Sequence, residues 1–499
     1  MPAPECNLLH DWLRRTAAER PHAPAIEEDE HITTFDQLYR QAEALAREFI
    51  VHGLRPGDRV ALRLSKTTSA AASVFACLLA GAVYVPIHPR WPQARVQAVL
   101  GDCAPRLLIE EENGVRRITD LQTGAVFCDP QPTGDREIVA DWPRIDSAST
   151  AVILFTSGST GAPKGVVLSH RAVAAFVRWT AAEFQISSRD RIACPAPLGF
   201  DLSTFDLFNM ALTGATVVLV PENIAWMPRF LACFVRESRI SCWYSVPSIL
   251  SAMLEEGRLA ESDYPHLRLV LFAGEVFAPP TLARLMTAVP HAQCVNLYGP
   301  TETNVVTWYR VPRTFKEHDP LPIGRSCPYA GTAIDQASGE LLAGGASLMD
   351  GYWNRPEETV RAFAVVDGRR YYRTGDRVSV AEDGNYLFHG RLDRQIKRRG
   401  FRIELGEIEA ALMRHPHVIE AAVVAAIDST GGTRIVAFVH LCADSALTLA
   451  EIRAHCAGLL APYMLPDHFE FAGILVKGNR GKIDYAALAQ VAEGYVRGD

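Results

Sequence analysis

Two periodicities alternate along most of the chain. From the N-terminus to Gly390, segments with apolar residues three and four apart give way repeatedly to short β-branched runs, and this predicts helices and strands in turn, an α/β architecture. Leu8–Glu19 and Thr34–Val51 read as amphipathic helices, the second entered through Thr34 as a capping residue. Arg59–Leu64, Ala82–Ile87, Ala151–Phe155, Gly165–Leu168, Arg268–Phe272 and Gln293–Leu297 read as strands. The most apolar stretch, Ala70–Ile87, is interrupted by Ser73 and Gly81 and closed by Pro86. It predicts a buried helix followed by a strand rather than a membrane span.

The pattern changes after Gly390. A basic run carrying Arg391, Arg394, Lys397, Arg398, Arg399 and Arg402 leads into a compact series: helix Ile403–Arg414, strands Val418–Ala426 and Arg434–His440, and helix Leu449–Leu460. Two domains are expected, residues 1–392 and residues 393–499. The second is a small α+β unit of about 100 residues, an ordinary domain size.

Composition narrows the function. With 499 residues the chain exceeds what one core usually serves. Apolar residues at 48% and charged residues at 21% describe a soluble globular protein. A net charge of −7 argues against a nucleic-acid groove, which needs a basic face. The 11 cysteines include no C-x-x-C pair, so zinc sites and disulfide frameworks are poorly supported and reduced thiols are expected. The N-terminal segment lacks a long apolar core, no secretory signal is evident, and a cytoplasmic location is expected.

The segment Thr156-Ser-Gly-Ser-Thr-Gly-Ala-Pro-Lys-Gly165 stands between two predicted strands. Gly158, Gly161 and Gly165 let backbone N–H groups turn inward; Thr156, Ser157, Ser159 and Thr160 add hydroxyls; Lys164 adds positive charge. Successive inward N–H groups form an anion-binding concavity, suited here to a polyphosphate. Taken alone, such a loop also reads as a Gly/Ser turn with no ligand. A Walker A loop is excluded: Pro163 stands where its second Gly is needed, Gly165 where Ser or Thr is needed, and a strand follows instead of a helix. A P-loop kinase or NTPase fails with it.

TSGSTGAPKG resembles the phosphate loop of the adenylate-forming superfamily, which includes acyl-CoA synthetases and the adenylation domains of nonribosomal peptide synthetases. Other segments resemble that family's core motifs in order: LLAGAVYVPI (78–87), FDLSTFDLF (200–208), NLYGPTET (296–303), MDGYWNRPEET (349–359), YYRTGD (371–376), GRLDRQIKRRGFRIELGEIE (390–409), APYMLP (461–466) and NRGKIDY (479–485). The resemblance implies a large N-terminal adenylate-forming domain of packed sheets and helices, with a small mobile C-terminal domain. It implies ATP and Mg²⁺ as cofactors, with Glu302 holding the metal on the phosphates. Thr301, Tyr298 and Gly299 are then expected at the phosphate and adenine, and Asp376 and Arg391 at the ribose hydroxyls. Lys482 is expected to be the catalytic lysine, with Lys477 a neighbouring alternative; Arg480 replaces the Asn usual before this Gly-Lys pair. Asp393 is the expected hinge, and Gly400 marks the loop beside which a phosphopantetheine arm passes. The reaction joins two anions, so it needs positioning and charge neutralisation more than an acid–base triad. The basic run after Gly390 is either an attraction for an acidic carrier protein or a solvated loop.

Within this family an Asp after Phe implies pairing with an amino acid's α-ammonium, and Asp201 follows Phe200. The competing reading is an Asp capping a helix that begins near Ser203. The resemblance places the side-chain pocket at Asp201, Leu202, Phe205, Tyr244, Leu271, Ala273, Leu297, Val305 and Val306. Such an apolar set suits proline, alanine, valine or leucine, since a charged or amide side chain would leave polar groups unpaired. The order of residues resembles that of stand-alone proline-activating enzymes of pyrrole biosynthesis and implies L-proline. The chain ends shortly after Lys482, so the thiol acceptor is expected on a separate peptidyl carrier protein. The alternatives are an acyl- or aryl-CoA ligase, against which Asp201 argues, and a catalytically silent relative, against which Lys482, Glu302 and Asp376 argue. Neither nucleic acid nor membrane is an expected partner. The segment Gly324–Gly344 is shorter than is usual before the sixth motif.

Overall fold

The protein is described by a computed structural model covering residues 8–112, 115–128, 142–158, 161–225, 227–428, 432–443, 445–477 and 483–497. The chain forms two compact units. The larger comprises Met1–Pro89, Cys103–Phe155 and Gly165–Leu392; the smaller comprises Asp393–Asp499 together with Arg90–Asp102 and Thr156–Lys164.

Among the described residues the sheets are of nine, eight and five strands, with further sheets of three and two strands in the smaller unit. In the nine-stranded sheet, Arg191–Cys194, Cys242–Ser245, Leu269–Ala273 and Gln293–Tyr298 run parallel side by side. These runs are almost wholly apolar because both faces of a parallel sheet are covered. In the eight-stranded sheet Thr150–Thr156 lies between Val83–Pro86 and Lys164–Ser169. The strand pair around the glycine loop is therefore a feature of one sheet. The five-stranded sheet is antiparallel and pairs Asp376 directly with Arg391.

Helix Phe35–Val51 begins at Thr34, whose side chain accepts from Gln37 N while Gln37 accepts from Thr34 N, a capping box. Helix Thr68–Leu79 is buried from Ala70 to Leu79 on every face, which is why its sequence shows no polar stripe. Strand Val83–Pro86 follows it. The helix expected over Ile403–Arg414 is shorter, Leu405–Leu412. Its expected first two residues, Ile403 and Glu404, instead end strand Phe401–Glu404, paired antiparallel with Gln395–Arg398. Arg399 (φ +51) and Gly400 (φ +79) make the turn, and two successive positive φ values match the tight turns that favour hairpins. The charge-rich sequence carries only a short apolar alternation, Phe401 and Ile403, and hid this hairpin. The smaller unit packs helices Leu405–Leu412 and Leu449–Leu459 against strands Val418–Ile427, Thr433–Leu441 and His468–Phe471 around Ile408, Leu412, Val423 and Ile452. No described helix is long and apolar enough to cross a membrane, and the described cysteines include nine free thiols.

Two buried titratable side chains, Lys66 and Asp206, lie inside the larger unit. Lys66 Nζ donates to the carbonyls of Cys194 (2.5 Å) and Pro195 (3.0 Å). Asp206, on helix Ser203–Thr213, is 1% exposed. Burial pushes its carboxyl up to about 8, against the opposing pull of the Cys194 thiol and the Lys66 ammonium. The unfolded chain loses this proton near its ordinary value of 3.8, while the folded chain holds it to about 8. Unfolding therefore releases a proton in that window, and stability falls as pH rises through it. Asp206→Asn removes the titration, so its melting temperature should change less between about pH 5 and about pH 8 than that of the natural chain. Parallel melting curves over that range would mean the carboxyl is already ionised in the fold.

Candidate active site

The glycine loop leaves strand Thr150–Thr156 and enters strand Lys164–Ser169. A Cβ at Gly158 would overlap the Ala162 carbonyl oxygen, so only glycine fits the turn. Gly161 has φ +83. Within the smaller unit, buried Ser157 donates from Oγ to the Arg402 carbonyl (2.7 Å) and accepts from Glu404 N (3.2 Å). Gly158 N–H donates to Glu407 Oε2 at 3.2 Å. The other oxygen of Glu407 is paired with Arg95, and both side chains are buried. A carboxylate thus sits against one loop N–H, the kind of anion that such a concavity accepts. Ser159, Thr160 and Lys482 lie outside the described residues. Lys477 pairs with Glu420 Oε2 at 3.2 Å.

The basic run is largely consumed by internal pairing. Arg394 Nη2 donates to Glu409 Oε1 (2.7 Å), and its guanidinium lies 3.4 Å from the Tyr485 ring centroid. Arg398 pairs with Asp467 and donates to the carbonyls of Tyr463 (3.2 Å) and Leu465 (3.0 Å). Neither arginine reads as part of a free positive patch. Asp393 Oδ1 accepts from Gln395 N at 3.1 Å, steadying the entry to the hairpin.

Three carboxylates organise the candidate site of the larger unit, taken by itself. Asp376 is 4% exposed; it accepts from Tyr298 Oη (2.5 Å) and from Arg391 Nη1 (2.6 Å). Strand register makes the second bond inevitable, since Asp376 and Arg391 are cross-strand partners. Charge-assisted bonds of this kind offset the desolvation of a buried carboxylate. Burial, then the Asp376 charge, pushes the Tyr298 phenol well above its ordinary value. Glu302 is 1% exposed and accepts from Tyr352 Oη at 2.6 Å. A Cβ at Gly299 would overlap the Asn304 carbonyl oxygen, so the turn carrying Thr301 and Glu302 requires glycine there.

Asp201 is half-buried, and its Oδ2 accepts from Thr301 Oγ1 at 2.9 Å. Helix Ser203–Thr213 begins without a side-chain cap, so the capping reading of Asp201 finds no support. Tyr244 is the register partner of Leu271, and Ala273 of Leu297. Paired and alternate residues share one face of a sheet, which gathers these four side chains. With Leu202, Phe205 and Val305 they belong to one buried apolar cluster. The Phe205 and Tyr244 rings meet edge to face at 5.4 Å. Val306 turns away and packs with Tyr298, Ile323 and Leu341 instead. Residues that pattern reading passed over are Asp206, Lys66 and Tyr329, which donates from its hydroxyl to the Val305 carbonyl. Asp206 stood in the quoted FDLSTFDLF segment; Lys66 and Tyr329 carried no local signal.

Among the described residues no three His, Cys, Asp or Glu side chains converge as a metal cage. Glu302 offers a buried carboxylate with one oxygen bonded to Tyr352. Such a donor fits a hard cation that keeps water and phosphate oxygens as its other ligands.

Comparison with known proteins agrees with this geometry. Residues 13–353 match the family described as AMP-binding enzyme, and residues 407–482 match the AMP-binding enzyme C-terminal domain. An L-proline--[L-prolyl-carrier protein] ligase of Streptomyces coelicolor is 37% identical, covering 95% of this chain and 95% of its own. One of Pseudomonas fluorescens is 36% identical, covering 98% of this chain and 100% of its own. Among solved structures, IdnL1 is 29% identical with a TM-score of 0.79, covering 95% of this chain and 100% of its own. The Vibrio cholerae adenylation domain AlmE, in complex with glycyl-adenosine-5'-phosphate, is 25% identical with a TM-score of 0.84, covering 97% and 98%. The loop between paired strands, the buried carboxylates and likeness over nearly the whole length converge: the chain belongs to the AMP-binding enzymes of the adenylate-forming superfamily and is an AMP-forming ligase.

Proposed function

We propose that the chain activates L-proline with ATP to prolyl-AMP and passes the prolyl group to the phosphopantetheine thiol of a separate carrier protein, as an entry step to pyrrole-type metabolites. The observation that carries this reading is Asp201, a half-buried carboxylate beside an otherwise apolar cluster. A carboxylate removed from water favours a cationic partner. An imino acid's ammonium supplies the charge, and its aliphatic ring fits Leu202, Phe205, Tyr244, Leu271, Ala273, Leu297 and Val305. Two relatives similar over their whole length are named as L-proline ligases, which supports proline among the apolar candidates.

In the first half-reaction a carboxylate oxygen of proline attacks the α-phosphorus, and pyrophosphate leaves with the bonding pair. Asp201 holds the ammonium, and Thr301 holds Asp201. Asp376 and Arg391 receive the ribose hydroxyls; Asp376 keeps lone pairs beyond those used by Tyr298 and Arg391. Thr156, Ser157, Gly158, Ser159, Thr160, Gly161 and Lys164 cradle the phosphates, with Gly299 keeping the Thr301 turn close. Glu302 holds Mg²⁺, which when bound supplies positive charge against the phosphate oxygens. Lys482 approaches the substrate carboxylate and the bridging oxygen. In the second half-reaction the thiol sulfur forms the thioester and AMP departs. Residues 393–499 act as a small domain that turns about Asp393 between the two steps, with Gly400 beside the pantetheine path. A hinge of this kind needs few residues.

Amino-acid-dependent ATP–pyrophosphate exchange across a panel should favour proline over alanine, valine and leucine. Tenfold preference for another amino acid would replace the proline reading, and thioester formed on free coenzyme A would favour a CoA ligase. Lys482→Ala should slow adenylate formation by about 10²–10³-fold, the usual loss for one preorganised donor. Thiol transfer from supplied prolyl-AMP should be largely spared; equal loss of both steps would refute the division of labour. Asp201→Asn should lower kcat/KM for the amino acid by roughly 10²-fold, the scale for truncating one partner of a buried charge pair. An unchanged value in steady-state kinetics would remove the ammonium contact from the mechanism.

A further inference from the structure

The strip Asn304–Val306 is held from several sides. Asn304 adopts φ +54, and its side chain accepts from Val305 N at 2.7 Å. Val306 N donates to the Tyr298 carbonyl, and Cys327 N donates to the Val306 carbonyl, both at 2.8 Å. The Asn304 carbonyl accepts from Thr303 Oγ1 at 3.1 Å, and the Val305 carbonyl is met by the Tyr329 hydroxyl. Tyr329 is itself braced. Its carbonyl accepts from Ala346 N at 2.9 Å, and its ring lies 5.6 Å from that of Trp179. Trp179 in turn packs edge to face on Trp308 (5.7 Å) and Phe184 (5.4 Å). Burial, then the neighbouring Cys327 thiol, pushes the Tyr329 phenol well above its ordinary value.

We infer that Tyr329 is a specificity-determining residue: its hydroxyl, braced by the Trp179 cluster, fixes the Val305 carbonyl and so sets how far the strip Asn304–Val306 intrudes on the amino-acid pocket. The inference rests on the pocket reading proposed above. Tyr329 acts through Val305 and is a positioning residue. Without the hydroxyl, the Val305 carbonyl is left buried with one donor fewer, and a buried acceptor without its partner is costly. The strip then gains freedom to move. In a pocket that discriminates by methylene groups, a small displacement changes which aliphatic side chain fits.

The test is ATP–pyrophosphate exchange by Tyr329→Phe, which keeps the ring and removes the oxygen. The preference for proline over leucine should narrow by about tenfold, the scale of one methylene in an apolar pocket. The loss should appear in KM for the amino acid, with KM for ATP within about twofold of the natural chain, because only one substrate's binding is touched. A folded variant, judged by its melting curve, whose proline-to-leucine ratio is unchanged overturns the inference. If Tyr329→Phe does not fold, Trp179→Phe is measured in the same way: a narrowed ratio supports the inference and an unchanged ratio overturns it. Trp179 Nε1 has no hydrogen-bond partner among the described residues, so this change removes ring platform and no hydrogen bond. Should the natural chain prefer another amino acid, the proline reading falls. The ratio of that substrate to its nearest competitor, compared between natural chain and variant, still decides the role of Tyr329.

Discussion

A carboxylate cannot be withdrawn from water without a donor to meet it, and this constraint shapes the site more than any other. In the larger unit Asp376 is met by Tyr298 and Arg391, Glu302 by Tyr352, and Asp201 by Thr301; in the smaller unit, by itself, Glu407 is met by Arg95 and the Gly158 N–H. Apart from Asp376–Arg391, which joins two consecutive strands, these pairings tie together elements distant in sequence. The strand carrying Tyr298 is bound to the antiparallel sheet through Asp376, and the turn carrying Thr301 is bound to the helix-entry loop through Asp201. The need to neutralise these acids thus cross-links the elements that carry them.

A site rich in acids would repel a polyanionic nucleotide were the acids not segregated by role. In the proposed reaction they face a cation, hydroxyls or an ammonium, while backbone N–H groups and Lys164 face phosphate. The contact between Glu407 and Gly158 N–H illustrates the second half of that division. There the glycine loop meets a carboxylate oxygen through its backbone.

The amino-acid cluster follows from strand register. Tyr244, Leu271, Ala273 and Leu297 come from three neighbouring parallel strands whose register places them on one face. A shift of one residue in any strand would turn its side chain to the opposite face. Val306 shows the same alternation at work, since Val305 and Val306 join different clusters. The strip they belong to is not a regular strand, and its position depends on tethers to Tyr298, Cys327 and Tyr329.

The sequence alone determined the alternation of helices and strands, the buried helix after Thr67, the glycine loop between strands and the order of chemistry-bearing motifs. Each of these is a local signal: periodicity, capping chemistry or glycine spacing within a few residues. Tertiary structure alone decided that Arg394 and Arg398 serve internal ion pairs, that residues 395–404 form a hairpin that takes in the expected helix start at Ile403, that Asp201 bonds to Thr301 rather than capping a helix, and that Asp206 and Tyr329 matter at all. The physical reason is common to all of them. A charge or hydroxyl can be satisfied by any partner that folding brings within about 3 Å, and nothing in the local sequence names that partner.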